Sequence, residues 1–356
     1  MQESRIALTS GMSPNAGATS GGKGWRRIAL AALASSALIL SACATNAAPD
    51  TGASTPGAES EATLRVALAP TGTALPVVVA DKQGFFEAND IDVTWEKSNV
   101  TISDQLASLG RQFDVAMGTQ PSLITAVDQG IELVNVSGLA LDTVDNPQTI
   151  IVASKSSGIK TFADIAGKKV GSLSLTGNIH YALMYAAHNA GVDLTTIDWV
   201  VGTVPELPDQ LNAGRVDAIE EIEPFAGIAV AKGGVSLGSP FRSIGDEAYL
   251  TILLSQKQWA NENEAQLGKF TKALAEAADW IENNEDEARV ILGEYTGAKG
   301  DILAKTPIAD FRFQTTGQEL AAEQVPDLEV WIDILQKTND FKGSLKPVDL
   351  LPTWAQ

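Results

Sequence analysis

From Thr63 onward the chain alternates short apolar strands with helical segments, and it does so twice, which constrains the fold more than any other feature. Leu64, Val66 and Leu68 fall on one face of an extended segment over residues 63–69, at the period of two that a strand requires. Pro76 then opens a helix that stops at Gly84. Ile91, Val93 and Trp95 repeat the strand pattern, and Ser103 can N-cap a helix carrying Leu106, Leu109 and Phe113. A short buried strand over 114–117, a helix over 121–129 closed by Gly130 and a strand over 131–136 complete the first unit. Such a series predicts an α/β unit with a mostly parallel sheet and helices on both faces.

The series then restarts. Residues 149–153 form an apolar strand, Thr161 and Asp164 cap a short helix by an acidic variant of the capping box, and 169–175 is a strand. A helix over 178–189 ends at Gly191, a strand covers 196–201, a helix over 205–213 ends at Gly214, and the strand 216–222 runs into a helix from Phe225. Past one more strand at 249–254 the pattern turns helical, with Leu267, Phe270, Leu274, Ala278 and Ile281 recurring every three or four residues. Trp331, Ile334 and Leu335 mark a last helix. The apolar segments near 149–153 and 249–254 predict that the chain crosses from one lobe to another and returns. Lobe 1 is expected over 63–148 plus 251–356 and lobe 2 over 149–250, with a cleft between them.

The N-terminus carries an independent signal. Lys23, Arg26 and Arg27 precede an apolar run over 28–40, too short to span a bilayer and typical of an export signal. The run ends in Leu40-Ser41-Ala42-Cys43, which resembles the lipobox of bacterial lipoproteins, where small residues fit the peptidase and the thiol takes a lipid. Residues 1–42 are therefore read as a lipoprotein signal peptide. Residues 43–62 are read as the lipidated Cys43 and a small, polar, proline-containing tether reaching about 25 Å. Gly-Trp-Arg-Arg-Ile-Ala around Arg26 and Arg27 matches the twin-arginine motif poorly, which favours the Sec route. Translation starts at Met1 or at Met12. The expected location is the outer face of the cell membrane.

Composition then excludes whole classes of function. The chain carries 25 Lys and Arg against 44 Asp and Glu, a formal charge of −19. That argues against a nucleic-acid partner. One cysteine excludes a disulfide framework or a Cys-cluster metal site, and two histidines leave little for a metal centre. No Gly-x-Ser-x-Gly elbow, His-Glu-x-x-His, Walker loop or Gly-x-Gly-x-x-Gly follows a strand, so neither an enzyme nor a cofactor is expected.

In open α/β sheets ligands sit beyond the carboxyl ends of the strands. That rule selects five loops, 70–74, 118–122, 139–145, 172–180 and 220–225. Their candidate solute contacts are Thr71, Thr73, Thr119, Gln120, Asp142, Ser174, Thr176, Asn178, His180, Glu221 and Glu223.

Ala80-Asp-Lys-Gln-Gly-Phe-Phe-Glu87 followed by Ile91-Asp-Val93, Phe113-Asp-Val-Ala116, Phe162-Ala-Asp-Ile-Ala-Gly-Lys-Lys-Val170 and Gly214-Arg-Val-Asp-Ala-Ile219 with Glu223-Pro-Phe225 resembles a known family. It is that of the type II substrate-binding proteins of ABC importers, in the subgroup that captures nitrate, alkanesulfonates, taurine or thiamine-type pyrimidines. The resemblance covers about residues 63–350. It implies a two-lobed periplasmic-binding-protein fold that closes on a small solute and docks on an ABC permease with its ATPase, and a monomer is expected. A pyrimidine synthase related to this fold depends on a cysteine-rich motif that a one-cysteine chain lacks.

Each candidate has a structural reading beside the functional one. Ser172, Ser174, Thr176, Gly177 and Asn178 can hold an anion or an oxygen-rich ligand on free backbone N–H groups, or form an ordinary turn. His180 is a ligand donor or a polar residue at a helix start, whereas His188 is expected at the surface. Two residues apart on a strand, Glu221 and Glu223 are expected to point the same way. Either favours an amine, an aminopyrimidine or a hydroxyl donor, unless Glu223 caps the turn of the Glu-Pro-Phe motif. Tyr181, Trp199 and Phe225 stack on a flat ligand or belong to the core. None of the five loops contains Lys or Arg, which moves the expected solute toward a neutral or cationic nitrogenous molecule such as a pyrimidine vitamin precursor. The alternative is a sulfonate, taurine or nitrate held on neutral N–H groups.

Overall fold

The computed structural model describes residues 62–98, 105–338 and 340–356. The expected signal peptide, Cys43, the tether as far as residue 61 and the Ser103 N-cap lie outside the described residues. The first series comprises β1 (Leu64–Leu68), α1 (Leu75–Gln83), α2 (Phe85–Ala88), β2 (Val93–Lys97), β3 (Val115–Gly118), α3 (Gln120–Asp128) and β4 (Leu133–Thr143). Pro76 sits in the first turn of α1, where its missing N–H costs nothing. The helix ends at Gly84, whose φ of 77° is a left-handed conformation that an L side chain rarely adopts.

The second series comprises β5 (Thr149–Ala153), β6 (Lys169–Ser172), α4 (Asn178–Asn189), β7 (Asp198–Val201), α5 (Leu207–Asn212), β8 (Ala218–Ile222), α6 (Phe225–Ala231) and β9 (Val235–Ser236). The chain continues with β10 (Glu247–Gln256), α7 (Lys257–Glu262), α8 (Glu264–Asn283), α9 (Glu285–Thr296), α10 (Gly300–Lys305), β11 (Asp310–Phe311) and α11 (Gly317–Lys337). Two sheets result, ordered β11-β4-β10-β3-β1-β2 and β7-β6-β8-β5-β9.

Both sheets are mixed, which corrects the expectation of a mostly parallel arrangement. β1 pairs β2 and β3 in parallel, as β6 pairs β7 and β8. The crossing strands run the other way: β10 is antiparallel to β3 and β4, and β5 is antiparallel to β8 and β9. Each sheet is entered from the other by one strand of reversed direction, a connection that strand and helix periodicity does not encode. A second correction concerns residues 107–113, where Leu109 and Phe113 meet in an isolated bridge instead of continuing a helix. A third concerns β4, expected to end at Val136. It continues to Thr143 with all eleven residues buried, because α11 and the segment before it satisfy its polar side chains. Asn135 donates to Gln324 Oε1 at 2.7 Å, and the Ser137 hydroxyl accepts the Gln314 N–H.

The first sheet is covered on one face by α1, α8 and α9 and on the other by α3 and α11. The stripe read on α8 (Leu267, Phe270, Leu274, Ala278 and Ile281) is buried. Trp331, Phe241 and Phe270 are fully buried, each stabilising by roughly 2–3 kcal/mol. Gly138 lets β4 and β10 approach, since a Cβ there would lie 2.2 Å from Tyr249 Cε1 and 2.9 Å from the Arg312 carbonyl oxygen. Gly138→Ala is therefore expected to cost about 1–3 kcal/mol, measured by denaturant unfolding. An unchanged midpoint would refute this packing. No helix among the described residues is long and apolar enough to cross a membrane.

Candidate functional site

A cavity of about 230 Å³ lies where the strands of both sheets end. The turn after β1 contributes Thr71 and Thr73, the end of β3 contributes Met117 and Thr119, and the start of α4 contributes Asn178. The end of β8 supplies Ile222 and Glu223, and β10 supplies Leu250 and Thr251. Leu75, Leu292 and Ile308 complete a largely apolar wall. Glu223 is the one charged side chain in that wall among the described residues, and no Lys, Arg or His joins it.

Thr71, Thr73, Thr119, Asn178 and Glu223 are thus brought together as the loop rule anticipates. The Thr71 and Thr73 hydroxyls bond to one another at 2.8 Å. Thr119 N-caps α3, accepting the Ser122 N–H while its own N–H donates to Ser122 Oγ at 2.9 Å. Asn178 Nδ2 donates to the Leu250 carbonyl at 2.7 Å, a bond from a helix of the second sheet to a strand of the first. That carbonyl is available because the β10–β4 ladder slips between Tyr249 and Thr251.

The remaining candidates do not line the cavity, and packing gives the reason for each. Gln120 turns into the first sheet's core, donating to Asp327 Oδ2 at 2.7 Å. Asp142, expected in a loop, is fully buried in β4. Its Oδ2 accepts the Gln148 and Thr149 N–H groups, and its Oδ1 accepts from Ser239 Oγ and Arg242 Nη2. Ser174 and Thr176 are exposed and contact each other. His180 is buried, with Nδ1 2.8 Å from Glu220 Oε1 and its ring edge-on to Trp199. Tyr181 is core, Phe225 is half-buried and His188 is exposed.

Glu221 and Glu223 do not extend along one strand, because β8 ends at Ile222. Glu223 is both a cap and a wall residue. Its Oε2 accepts the Gly227 N–H at 3.0 Å, and the residue lines the cavity. Burial raises its carboxyl above the ordinary glutamate value, and the Gly227 N–H opposes that shift. Glu221 is fully buried, and burial pushes its carboxyl up to about 8; the Ile222 N–H works against the shift and the Glu223 charge adds to it.

Of the polar wall residues, Gln148, Thr251 and Thr306 escaped the loop rule. Gln148 lies just past the loop 139–145, in the crossing segment, where its Nε2 donates to Asn146 Oδ1 at 2.9 Å. Thr251 lies inside a strand, brought to the cavity beside the ladder slip, and local sequence carries no mark of that slip.

Comparison with known proteins places this geometry. A protein of Haemophilus influenzae named for thiamine biosynthesis is 29% identical over 225 residues, covering 60% of this chain and 66% of that protein. An Escherichia coli protein named for binding aliphatic sulfonates is 25% identical over 177 residues, covering 49% of this chain and 53% of its own. The aligned stretches span less than two thirds of either relative's length. The crystal structure of the periplasmic aliphatic sulphonate binding protein from Escherichia coli superposes with a TM-score of 0.67 at 19% identity, covering 82% of this chain and 97% of that one. The fold is accordingly the α/β periplasmic-binding-protein fold expected from the sequence. With residues 72–288 matching the family described as NMT1/THI5 like, more than half of its length, the chain belongs to that family.

Proposed function

We propose that this chain is the extracytoplasmic solute-binding component of an ABC importer, capturing a small solute as two lobes close and delivering it to a permease and its ATPase. The observation that carries the proposal is the cavity at the strand ends of both sheets, with Glu223 as the single charged residue of its wall among the described residues. Lobe 1 is residues 63–148 plus 251–356 and lobe 2 is residues 149–250. Residues 1–42 direct export, Cys43 carries the lipid that anchors the chain to the outer face of the cell membrane, and residues 43–62 are the tether. The protein works as a monomer, needs no cofactor and catalyses no reaction.

Thr71, Thr73, Thr119, Asn178 and Glu223 contact the solute. A carboxylate in an apolar wall without a neighbouring cation attracts a hydrogen-bond donor or a positive charge and repels an anion. The solute is therefore nitrogenous, a pyrimidine vitamin precursor or an amine. The likeness to sulfonate-binding proteins supports a second reading, in which the N-terminal N–H groups of α4 hold a sulfonate, taurine or nitrate.

Thermal-shift measurements on the purified chain with an amino-hydroxymethyl pyrimidine, putrescine, taurine, an alkanesulfonate and nitrate separate these readings. A solute at a hundred times its Kd stabilises by about 2.7 kcal/mol. Glu223→Gln is expected to weaken a nitrogenous solute at least tenfold, about 1.4 kcal/mol. A shift with sulfonates alone, retained in Glu223→Gln, establishes the second reading, and no shift with any solute overturns the importer assignment.

A further inference from the structure

We infer that Thr251 is a specificity-determining contact in this cavity, so that the solute presents a second polar group, besides the one meeting Glu223, to a neutral hydroxyl. The inference rests on the solute-binding reading above. β10 is an interior strand, paired on both sides, in which a regular ladder would carry every residue in register. The slip between Tyr249 and Thr251 leaves Leu250 outside the paired register, and a second irregularity follows between Thr251 and Ile252. The Leu250 carbonyl is taken by Asn178. Thr251 lines the cavity, and its Oγ1 is buried with no hydrogen-bond partner among the described residues.

The neighbouring polar groups of the wall are already engaged. Thr71 and Thr73 bond to one another, Thr119 caps α3, and the Thr306 hydroxyl donates to the Ile302 carbonyl. Glu223 accepts the Gly227 N–H. Thr251 therefore has the one wall hydroxyl whose donor and acceptor capacity is wholly uncommitted among the described residues. A buried hydroxyl without a partner destabilises the fold, and valine would fill the same volume without that cost. A solute that supplies the partner removes the penalty on binding.

The chemistry this selects is specific. Glu223 requires a donor, whereas a threonine hydroxyl serves a carbonyl, a hydroxyl or a ring nitrogen equally well. The fitting solute is a small, mostly apolar molecule bearing an amino or protonated nitrogen and, separately, an uncharged hydroxyl or ring-nitrogen group.

The test uses Thr251→Val and Thr251→Ser in the full chain, with melting of the free protein and calorimetric titration with an amino-hydroxymethyl pyrimidine. The expected result is opposed: Thr251→Val melts at or above the wild-type temperature, yet binds the pyrimidine at least tenfold more weakly. Thr251→Ser restores that affinity. Thr251→Val melting well below wild type would show that the hydroxyl supports the fold and would overturn the inference. Pyrimidine binding that is equal in wild type and Thr251→Val would overturn it alone, leaving the importer reading standing. Failure of every solute in the wider panel to bind wild type would overturn that reading and this inference with it.

Discussion

Asp142→Ala is expected to lower stability by about 3–5 kcal/mol, the usual result of removing one partner from a buried charged cluster. The carboxylate is fully buried and accepts five hydrogen bonds, from the Gln148 and Thr149 N–H groups, Thr149 Oγ1, Ser239 Oγ and Arg242 Nη2, at 2.7 to 3.0 Å. These partners come from both connections between the sheets: Gln148 and Thr149 lead into β5, while Ser239 and Arg242 lie on the way back to β10. Arg242 also donates to the Asp142 and Asp246 carbonyls, which ties the start of β10 to the end of β4. Alanine would leave two backbone N–H groups and a largely buried guanidinium without their acceptor. Asp142→Asn keeps the shape but turns an amide N–H₂ toward donors on one side, so its loss should be intermediate. For a chain of this size the alanine variant should melt roughly 6–10 °C lower. A loss under about 1 kcal/mol would show that the two crossings do not depend on this side chain. On the proposed function, the closure of the two lobes turns about these two segments.

Asp142 also shows where the sequence stops being informative. Its position before the crossing at residue 149 was legible, and the strand-end rule made it a solute contact. What the sequence lacks is the partner set: Ser239 and Arg242 lie about a hundred residues away, and only the folded crossing brings them to one carboxylate. Elements bounded by local chemistry were read closely. The helix over 178–189 was found to the residue, because Gly191 ends it with a left-handed φ of 81°. The Thr161–Asp164 cap was found because both partners lie within one turn. β4 was cut short because Asn135 and Ser137 interrupt its apolar run, and their partners Gln324 and Gln314 are too distant in sequence to be anticipated.

The candidate site divides in the same way. Thr71, Thr73, Thr119 and Glu223 follow strands whose ends were placed to within a residue, and Asn178 opens a helix read to the residue although the strand before it ends at Ser172 and not at 175. His180 was misplaced by the face it takes on α4: it turns onto the sheet and meets Glu220, one residue before Glu221 on β8. Glu221 then necessarily projects to the opposite face. Thr251 had no local signal, since a ladder slip depends on how two strands pair and not on either strand alone.

Glu221→Gln is expected to change the pH dependence of stability more than any other single substitution of an ionisable residue in this region. Burial pushes the Glu221 carboxyl up to about 8 in the folded chain, against an ordinary value of 4.5 once unfolded. Between those values the folded state holds a proton that the unfolded state has released. Stability therefore falls as pH rises from about 4.5 to about 8, and the full penalty is present above that window. At 1.36 kcal/mol per pH unit the penalty is on the order of 5 kcal/mol. Glutamine keeps the acceptor that faces the Ile222 N–H, 3.0 Å away, and carries no charge at any pH, so it removes the penalty. Other raised carboxyls such as Glu223 remain in both proteins, so the difference between variant and wild type isolates Glu221. Glu221→Gln should match wild type or fall slightly below it at pH 5, where the wild-type side chain is already neutral, and be several degrees more stable at pH 9. Parallel curves for the two proteins from pH 5 to 9 would show that Glu221 is ionised in the folded chain. The buried end of β8 would then have to hold two negative charges beside the cavity rather than the single charge of Glu223, and the proposed preference for a cationic solute would be stronger than one carboxylate implies.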